Sequence, residues 1–224
     1  MGLRLIIGNK NYSSWSFRPW LAMKVTGLAF EEHVVSLSDP DFKKTVMQFS
    51  PAGRVPALDD DGICVWETLA ILEYLSEKFP AAALWPADRA ARAHARAIAA
   101  EMHAEFTALR RECPMNMWRP AKRHPLSTEA SANVARIDAM WTDCRARFGP
   151  HGPFLFGGFS AADAMYAPVV SRFATYMVPV GPASRVYMEA VMSLPAWQEW
   201  RTAALKEPWV LPADEPDWPA VPRV

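Results

Sequence analysis

Two stretches of this chain carry groups able to bind or hold an anion. The first is Glu67-Thr68. It follows two apolar runs, Ala57-Leu58 and Ile63–Trp66, joined by the polar turn Asp59-Asp60-Asp61-Gly62. Asp-Gly in a short polar insert between apolar runs signals a hairpin. Beyond Glu67-Thr68, the residues Leu69, Ile71, Leu72, Tyr74, Leu75 and Phe79 recur at helical spacing. Glu67 and Thr68 therefore stand at a helix start, where free backbone N–H groups point outward and favour negative charge. The second stretch holds Ser13, Ser14 and Ser16, at or just before a helix running from about Trp15 to a stop at Gly27. Pro19 is expected in the first turn of that helix, where its missing N–H costs nothing. By residue type alone these serines read as helix caps.

The elements that must position these groups follow from patterning. Residues 3–8 read as a buried strand, 30–37 as a second strand, and 39–49 as a short helix with Ser38 or Asp39 as its cap and Pro40 at its first position. A strand–helix–strand unit of this size implies a parallel pair with a right-handed crossover. With the hairpin and its helix the order is βαβαββα, a small α/β domain over residues 1–80. A proline-bounded linker, 81–88, leads into an Ala-rich, all-α region over 89–224. Its expected helices cover 89–112, 128–148, 160–177, 183–193 and 195–206, followed by an irregular tail rich in Pro and Trp. Ser160-Ala-Ala-Asp163 has capping-box spacing, which is a fold-stability signal.

Composition narrows the function classes. The chain has 224 residues, 51% of them hydrophobic, enough to bury a sizeable core. Lys+Arg and Asp+Glu number 24 each, and neither half is polarised, so neither nucleic acid nor an anionic membrane is expected as a partner. Cys64, Cys113 and Cys144 are widely spaced and make no metal pattern. With no signal sequence at the N-terminus and no apolar run approaching a membrane span, the expected setting is cytoplasmic.

The Val55-Pro56 pair, the Glu67-Thr68 helix start, the serine turn Ser13–Arg18 (SSWSFR) and SAADAMYAP at 160–168 stand in order along nearly the whole chain. Together they resemble the cytosolic glutathione transferases. Within that family SSWSFR is most similar to the serine-type classes, zeta-like isomerases included, whose pattern is Ser-Ser-Cys-Ser-Trp-Arg. The resemblance implies a thioredoxin-like N-terminal domain followed by an all-α domain that contributes an electrophile pocket. It implies glutathione as substrate or cofactor, no metal, a small apolar electrophile as partner, a detoxification role and a homodimer.

It also implies residue roles. Glu67 accepts the glutathione ammonium, and Thr68 donates its N–H and hydroxyl to the γ-glutamyl carboxylate. Val55 pairs its backbone with the cysteinyl part, Pro56 is cis, and Arg54 completes the glutathione-binding set. Ser13 or Ser14 donates to the thiolate, with Tyr12 as a competing donor. A free thiol of pKa about 8.5 is only a few per cent ionised near neutrality. Lowering it by about two units requires roughly 2.7 kcal/mol. One hydroxyl hydrogen bond to an anion supplies about 1.5–3 kcal/mol, and a helix N-terminus adds up to about 2 kcal/mol.

Trp15 stands where the zeta-like pattern has cysteine, which reshapes the pocket and removes disulfide-exchange chemistry. Arg18 is expected to be structural or to form an interdomain ion pair. Trp15, Met102, Phe106, Met115 and Trp118 are candidates for the electrophile pocket. Two alternatives stand beside the transferase reading. One is a glutathione-dependent isomerase of an unsaturated diacid, drawing on Arg110, Arg111, Arg119, Lys122 and Arg123. The other is a non-catalytic binding protein of the same fold.

Overall fold

The computed structural model describes residues 2–216. The N-terminal half runs β1 (Leu3–Ile7), α1 (Ser14–Val25), β2 (Phe30–Val34), α2 (Phe42–Val46), β3 (Ala57–Asp60), β4 (Ile63–Trp66) and α3 (Thr68–Lys78). The four strands form one sheet in the order β2-β1-β3-β4. Strands β1 and β2 are parallel, and β3 is antiparallel to both β1 and β4. Strand β1 is central and its alternation sorts the core. Leu3, Leu5 and Ile7 join the main apolar cluster, whereas Ile6 meets Val35, Val46 and Ala57 on the opposite face.

The second half is helical: α4 (Arg89–Ala104), α5 (Thr107–Glu112), α6 (Thr128–Phe148), α7 (Ala161–Thr175), α8 (Pro182–Met192) and α9 (Pro195–Ala204). The first thirteen residues of α7 are all buried, which makes it the central rod of this half. Helix α1 packs on α7, α3 and α9. Phe17 stacks on Trp200 at 4.8 Å and Trp20 meets the same indole edge-on at 5.0 Å. Truncating buried rings of this size costs about 3–5 kcal/mol each, so α1 is a fixed platform. Ser160 and Asp163 form the expected capping box, and Asp163 also accepts the Leu155 N–H at 3.1 Å.

Several sequence expectations are corrected. The region 89–112 is two helices, because Phe106 takes a left-handed conformation (φ 62°) that buries its ring and redirects the chain. The Leu109 N–H near the new helix start bonds the side chain of Asn133 at 3.2 Å. Helix α2 begins at Phe42, since the Asp39 carboxylate bonds the Asp41 N–H (2.8 Å) and its carbonyl the Phe42 N–H (3.0 Å), a turn that leaves Pro40 outside the helix. Pro19 is the sixth residue of α1 and so falls in its second turn. Within the stretch 81–88, Ala81, Ala83, Ala87 and Asp88 are exposed while Leu84 and Trp85 are buried, Leu84 O taking the Ala161 N–H at 2.7 Å. The expected tail reaches residues 217–224, which lie outside the described residues. Among the described residues no helix is long and apolar enough to cross a membrane.

Candidate functional site

Three contiguous depressions meet at the N-terminal end of α1, and Trp15 lines all three. The first, about 260 Å³, lies between the α3 start and the helical half and includes Arg54, Val55, Pro56, Glu67, Thr68, His103 and Arg110. The second, about 250 Å³, joins Ser13 and Ser14 to Arg54 and Val55. The third, about 300 Å³, runs from Tyr12 and Ser14 to Arg110, Arg111, Met115, Arg172 and Asp214. The residues singled out on β3–α3 and at the serine turn therefore border one continuous cleft.

The floor is backbone. The Val55-Pro56 peptide is cis, and Val55 makes no backbone-to-backbone hydrogen bond among the described residues. Glu67 has φ 68° and ψ 130°, a strained conformation for a residue with a side chain. It stands as N-cap of α3 without capping it, so the first-turn N–H groups stay open to the cleft. Its half-exposed carboxylate lies 4.0 Å from His103 Nε2.

The Thr68 hydroxyl has a different partner from the one expected. Pro19 has no N–H for the carbonyl of Trp15 four residues earlier. Thr68 Oγ1 donates to that carbonyl at 3.0 Å. The hydroxyl proton is thus spent inside the protein, and only backbone N–H groups at this helix start remain as donors to an incoming carboxylate.

The serines also separate. Ser13 holds the N-cap position of α1 but makes no side-chain cap; its hydroxyl donates to Ser16 Oγ at 2.7 Å, which also accepts the Gly8 N–H at 3.1 Å. Ser14 Oγ instead accepts from Arg172 Nη2 at 3.2 Å, leaving its own proton uncommitted. The Tyr12 hydroxyl donates to Glu215 at 2.6 Å.

Around Ser14 the electrostatics are unusual for a chain with no net charge. Arg18, Arg172 and the half-buried Arg110 converge here. Burial pushes the Arg18 guanidinium well below its ordinary range, and the neighbouring charges of Arg172 and Arg110 add to this. Burial, then Arg110, brings Arg172 down to about 10. Burial lowers Arg110 as well. No carboxylate forms an ion pair with any of the three among the described residues. Arg18 bonds carbonyls instead, Met165 O and Ser14 O, both at 2.9 Å, and lies 4.1 Å over the Trp15 ring. Arg110 covers the same ring at 4.8 Å. Arg18 Nη2 and Arg172 Nη1 are buried without a hydrogen-bond partner. Among the described residues Asp214 is the one carboxylate lining this depression, and burial raises its pKa.

Of the pocket candidates, Trp15 and Met115 line the cleft. Met102 and Phe106 are core residues, and Trp118 is buried with its indole N–H on Ala204 O at 2.9 Å. Arg110 and Arg111 reach the cleft, whereas Arg119 is turned onto the carbonyls of Pro120, Lys122 and Thr175. The sequence reading missed Arg172, His103 and Asp214. A signal for Arg172 existed, the one cationic residue in the mostly apolar helix 161–175, since arginine is almost never fully buried unless paired.

Comparison with known proteins follows the same division of the chain. Residues 12–78 match the family described as "Glutathione S-transferase, N-terminal domain", and residues 89–203 match "Glutathione S-transferase, C-terminal domain". A probable maleylacetoacetate isomerase of Caenorhabditis elegans is 40% identical over 86 residues, a match spanning 38% of this chain and 40% of that protein. Glutathione S-transferase Z2 of Arabidopsis thaliana is 26% identical over 226 residues, covering 94% of each chain. Among solved structures, a glutathione transferase homolog from Burkholderia gl BGR1 with bound glutathione superposes with a TM-score of 0.70 at 25% identity. That superposition covers 91% of this chain and 98% of the other.

Proposed function

The chain belongs to the glutathione S-transferase family of enzymes, and on that premise we propose that its cleft binds glutathione and adds the thiolate to an electrophilic cosubstrate. The observation that carries this reading is the convergence on one cleft of the open α3 start, the unpaired Val55 backbone and Ser14. The γ-glutamyl carboxylate takes the first-turn N–H groups at Thr68, and Glu67 accepts the ammonium. The cysteinyl part pairs with Val55 beside Arg54 and cis-Pro56. Ser14 donates to the sulfur, because its proton is uncommitted while that of Ser13 is held by Ser16. The thiol proton passes to solvent and the thiolate attacks carbon; as the S–C bond forms, a leaving group departs with its bonding pair or, at an activated double bond, the π pair moves to the neighbouring carbon and takes a proton from solvent.

A second reading has its own support. A buried guanidinium nitrogen without a partner on Arg172, which lines the third depression, and Arg110 between the depressions favour a cosubstrate bearing a carboxylate. An unsaturated diacid isomerised through a reversible thiolate adduct fits that chemistry, and the relative from C. elegans carries an isomerase name. A screen of the wild-type protein with glutathione and a chloronitrobenzene, an organic peroxide and a cis-unsaturated diketo acid separates the readings. Turnover of the chloronitrobenzene, with release of chloride, supports conjugation; turnover of the peroxide alone marks thiolate reduction of the O–O bond and counts against conjugation, and turnover of the acid alone supports isomerisation. Glutathione binding without any turnover overturns both.

A further inference from the structure

The loop from Asn9 to Ser13, between β1 and α1, carries the thiol-activating turn and is held by residues remote in sequence. Glu207, just after α9, receives the Lys10 N–H on Oε1 at 2.7 Å and the Asn11 N–H on Oε2 at 2.9 Å. The two contacts span 197 and 196 residues of chain. Two consecutive N–H groups aimed at one carboxylate form a small anion cradle, filled here by the protein's own side chain. The same loop is fixed from two other directions. Trp200 Nε1 donates to Lys10 O at 2.8 Å, and Asn11 Oδ1 accepts the N–H groups of Met117 (2.6 Å) and Trp118 (3.0 Å). Downstream, the Ser13 N–H closes the turn on Asn9 O at 2.8 Å.

We propose that Glu207 is a positioning residue for thiol activation: its carboxylate sets the backbone of the Asn9–Ser13 loop, and so the placement of the Ser14 hydroxyl. The proposal rests on the serine reading given above. Glu207 touches neither serine; it acts through the main chain of Lys10 and Asn11. Burial is the main influence on its carboxyl, raising its pKa, while the two N–H bonds and Lys10 pull the other way. The carboxylate is thus partly desolvated and replaces water on both N–H groups at once. Displacing a catalytic group by about 1 Å costs on the order of 100-fold in rate, so a clamp three residues from Ser14 has kinetic consequences that a surface ion pair lacks.

The test compares Glu207→Ala and the near-isosteric Glu207→Gln, which keeps one acceptor, with Glu199→Ala, which removes a carboxylate bound only to the surface residue Lys24. Amide exchange at Lys10 and Asn11 is followed together with kcat, the KM for glutathione and the pKa of the bound thiol. Glu207→Ala is expected to speed exchange at those two amides, lower kcat about tenfold and raise the thiol pKa by about one unit. The KM for glutathione stays within about twofold, because the grip at Glu67 and Val55 is separate. Glu207→Gln should recover part of each loss and carries the test if the alanine variant fails to fold, and Glu199→Ala should change none. Wild-type exchange and thiol pKa in the Glu207 variants would overturn the clamp, as would a loss confined to KM. A wild-type bound thiol with an ordinary pKa would instead sink the serine reading, and the exchange data would then decide the clamp alone.

Discussion

Replacing Ser14 by alanine removes one hydroxyl from a site where its oxygen already holds Arg172 Nη2 at 3.2 Å. The hydroxyl's contribution to a bound thiolate is one hydrogen bond to a charged group, about 1.5–3 kcal/mol. That energy corresponds to a rise of about 1.1–2.2 units in the thiol pKa. If the wild-type protein brings the thiol about two units below its free value of roughly 8.5, about three quarters of bound glutathione is ionised near pH 7. In the variant this fraction falls to between roughly a fifth and a fiftieth, so the rate near neutrality drops about 4- to 40-fold. The sign gives a signature. Ser14→Ala raises the pKa of the nucleophile, so the deficit is full below the wild-type pKa and closes as pH rises through the shifted one. Ultraviolet absorbance of the thiolate, titrated on the glutathione complex, reads the pKa directly. The pH dependence of conjugation with a neutral electrophile reads its consequence. A deficit that persists unchanged at high pH would refute the argument. So would a Ser13→Ala variant that shifts the titration while Ser14→Ala does not.

Other substitutions separate the remaining parts of the site. Glu67→Ala should weaken glutathione binding at least about tenfold, or 1.4 kcal/mol by calorimetry; unchanged affinity would remove the carboxylate from the site. Thr68→Val should lower the melting temperature, because the Trp15 carbonyl loses its donor, at a cost of about 1–3 kcal/mol. Glutathione affinity should change by less than about threefold, and a tenfold loss would return the hydroxyl to the ligand. Asp214→Asn should lower the KM for a carboxylate-bearing cosubstrate severalfold, since it removes the negative charge facing Arg172, and leave a neutral one unaffected. Equal effects on both would mean that the charge plays no part.

The fold was readable because its signals are local. Asp-Gly in the β3–β4 turn, the short apolar run of β1, and the Ser160–Asp163 box each act within a few residues. The late start of α2 has a local cause, the Asp39 turn, whereas other misreadings trace to long-range partners. Pro19 looked like a first-turn proline because nothing near it shows that a hydroxyl on α3 satisfies the carbonyl it leaves open. Phe106 looked like part of a continuous helical stripe, yet burial of its ring outweighs a left-handed backbone. The choice between Ser13 and Ser14 was undecidable from spacing, because it depends on Ser16 next door and on Arg172, 158 residues away. The place of Glu67 and Thr68 at the start of α3 was legible because a helix start is a local property; the cis Val55-Pro56 peptide was expected only from the family resemblance.

The bond from Thr68 to the Trp15 carbonyl ties the beginning of α1 to the beginning of α3. The end that meets the sulfur and the end that meets the γ-glutamyl carboxylate are therefore not independent modules. Restoring an N–H at position 19 would set a backbone donor in competition with the Thr68 hydroxyl and release the latter toward the ligand. Substitutions at 19 and 68 should then be epistatic, their joint effect departing from the sum of the single effects, as expected for residues sharing one acceptor. A proline with no contact to glutathione would in this way set how many donors the protein offers it.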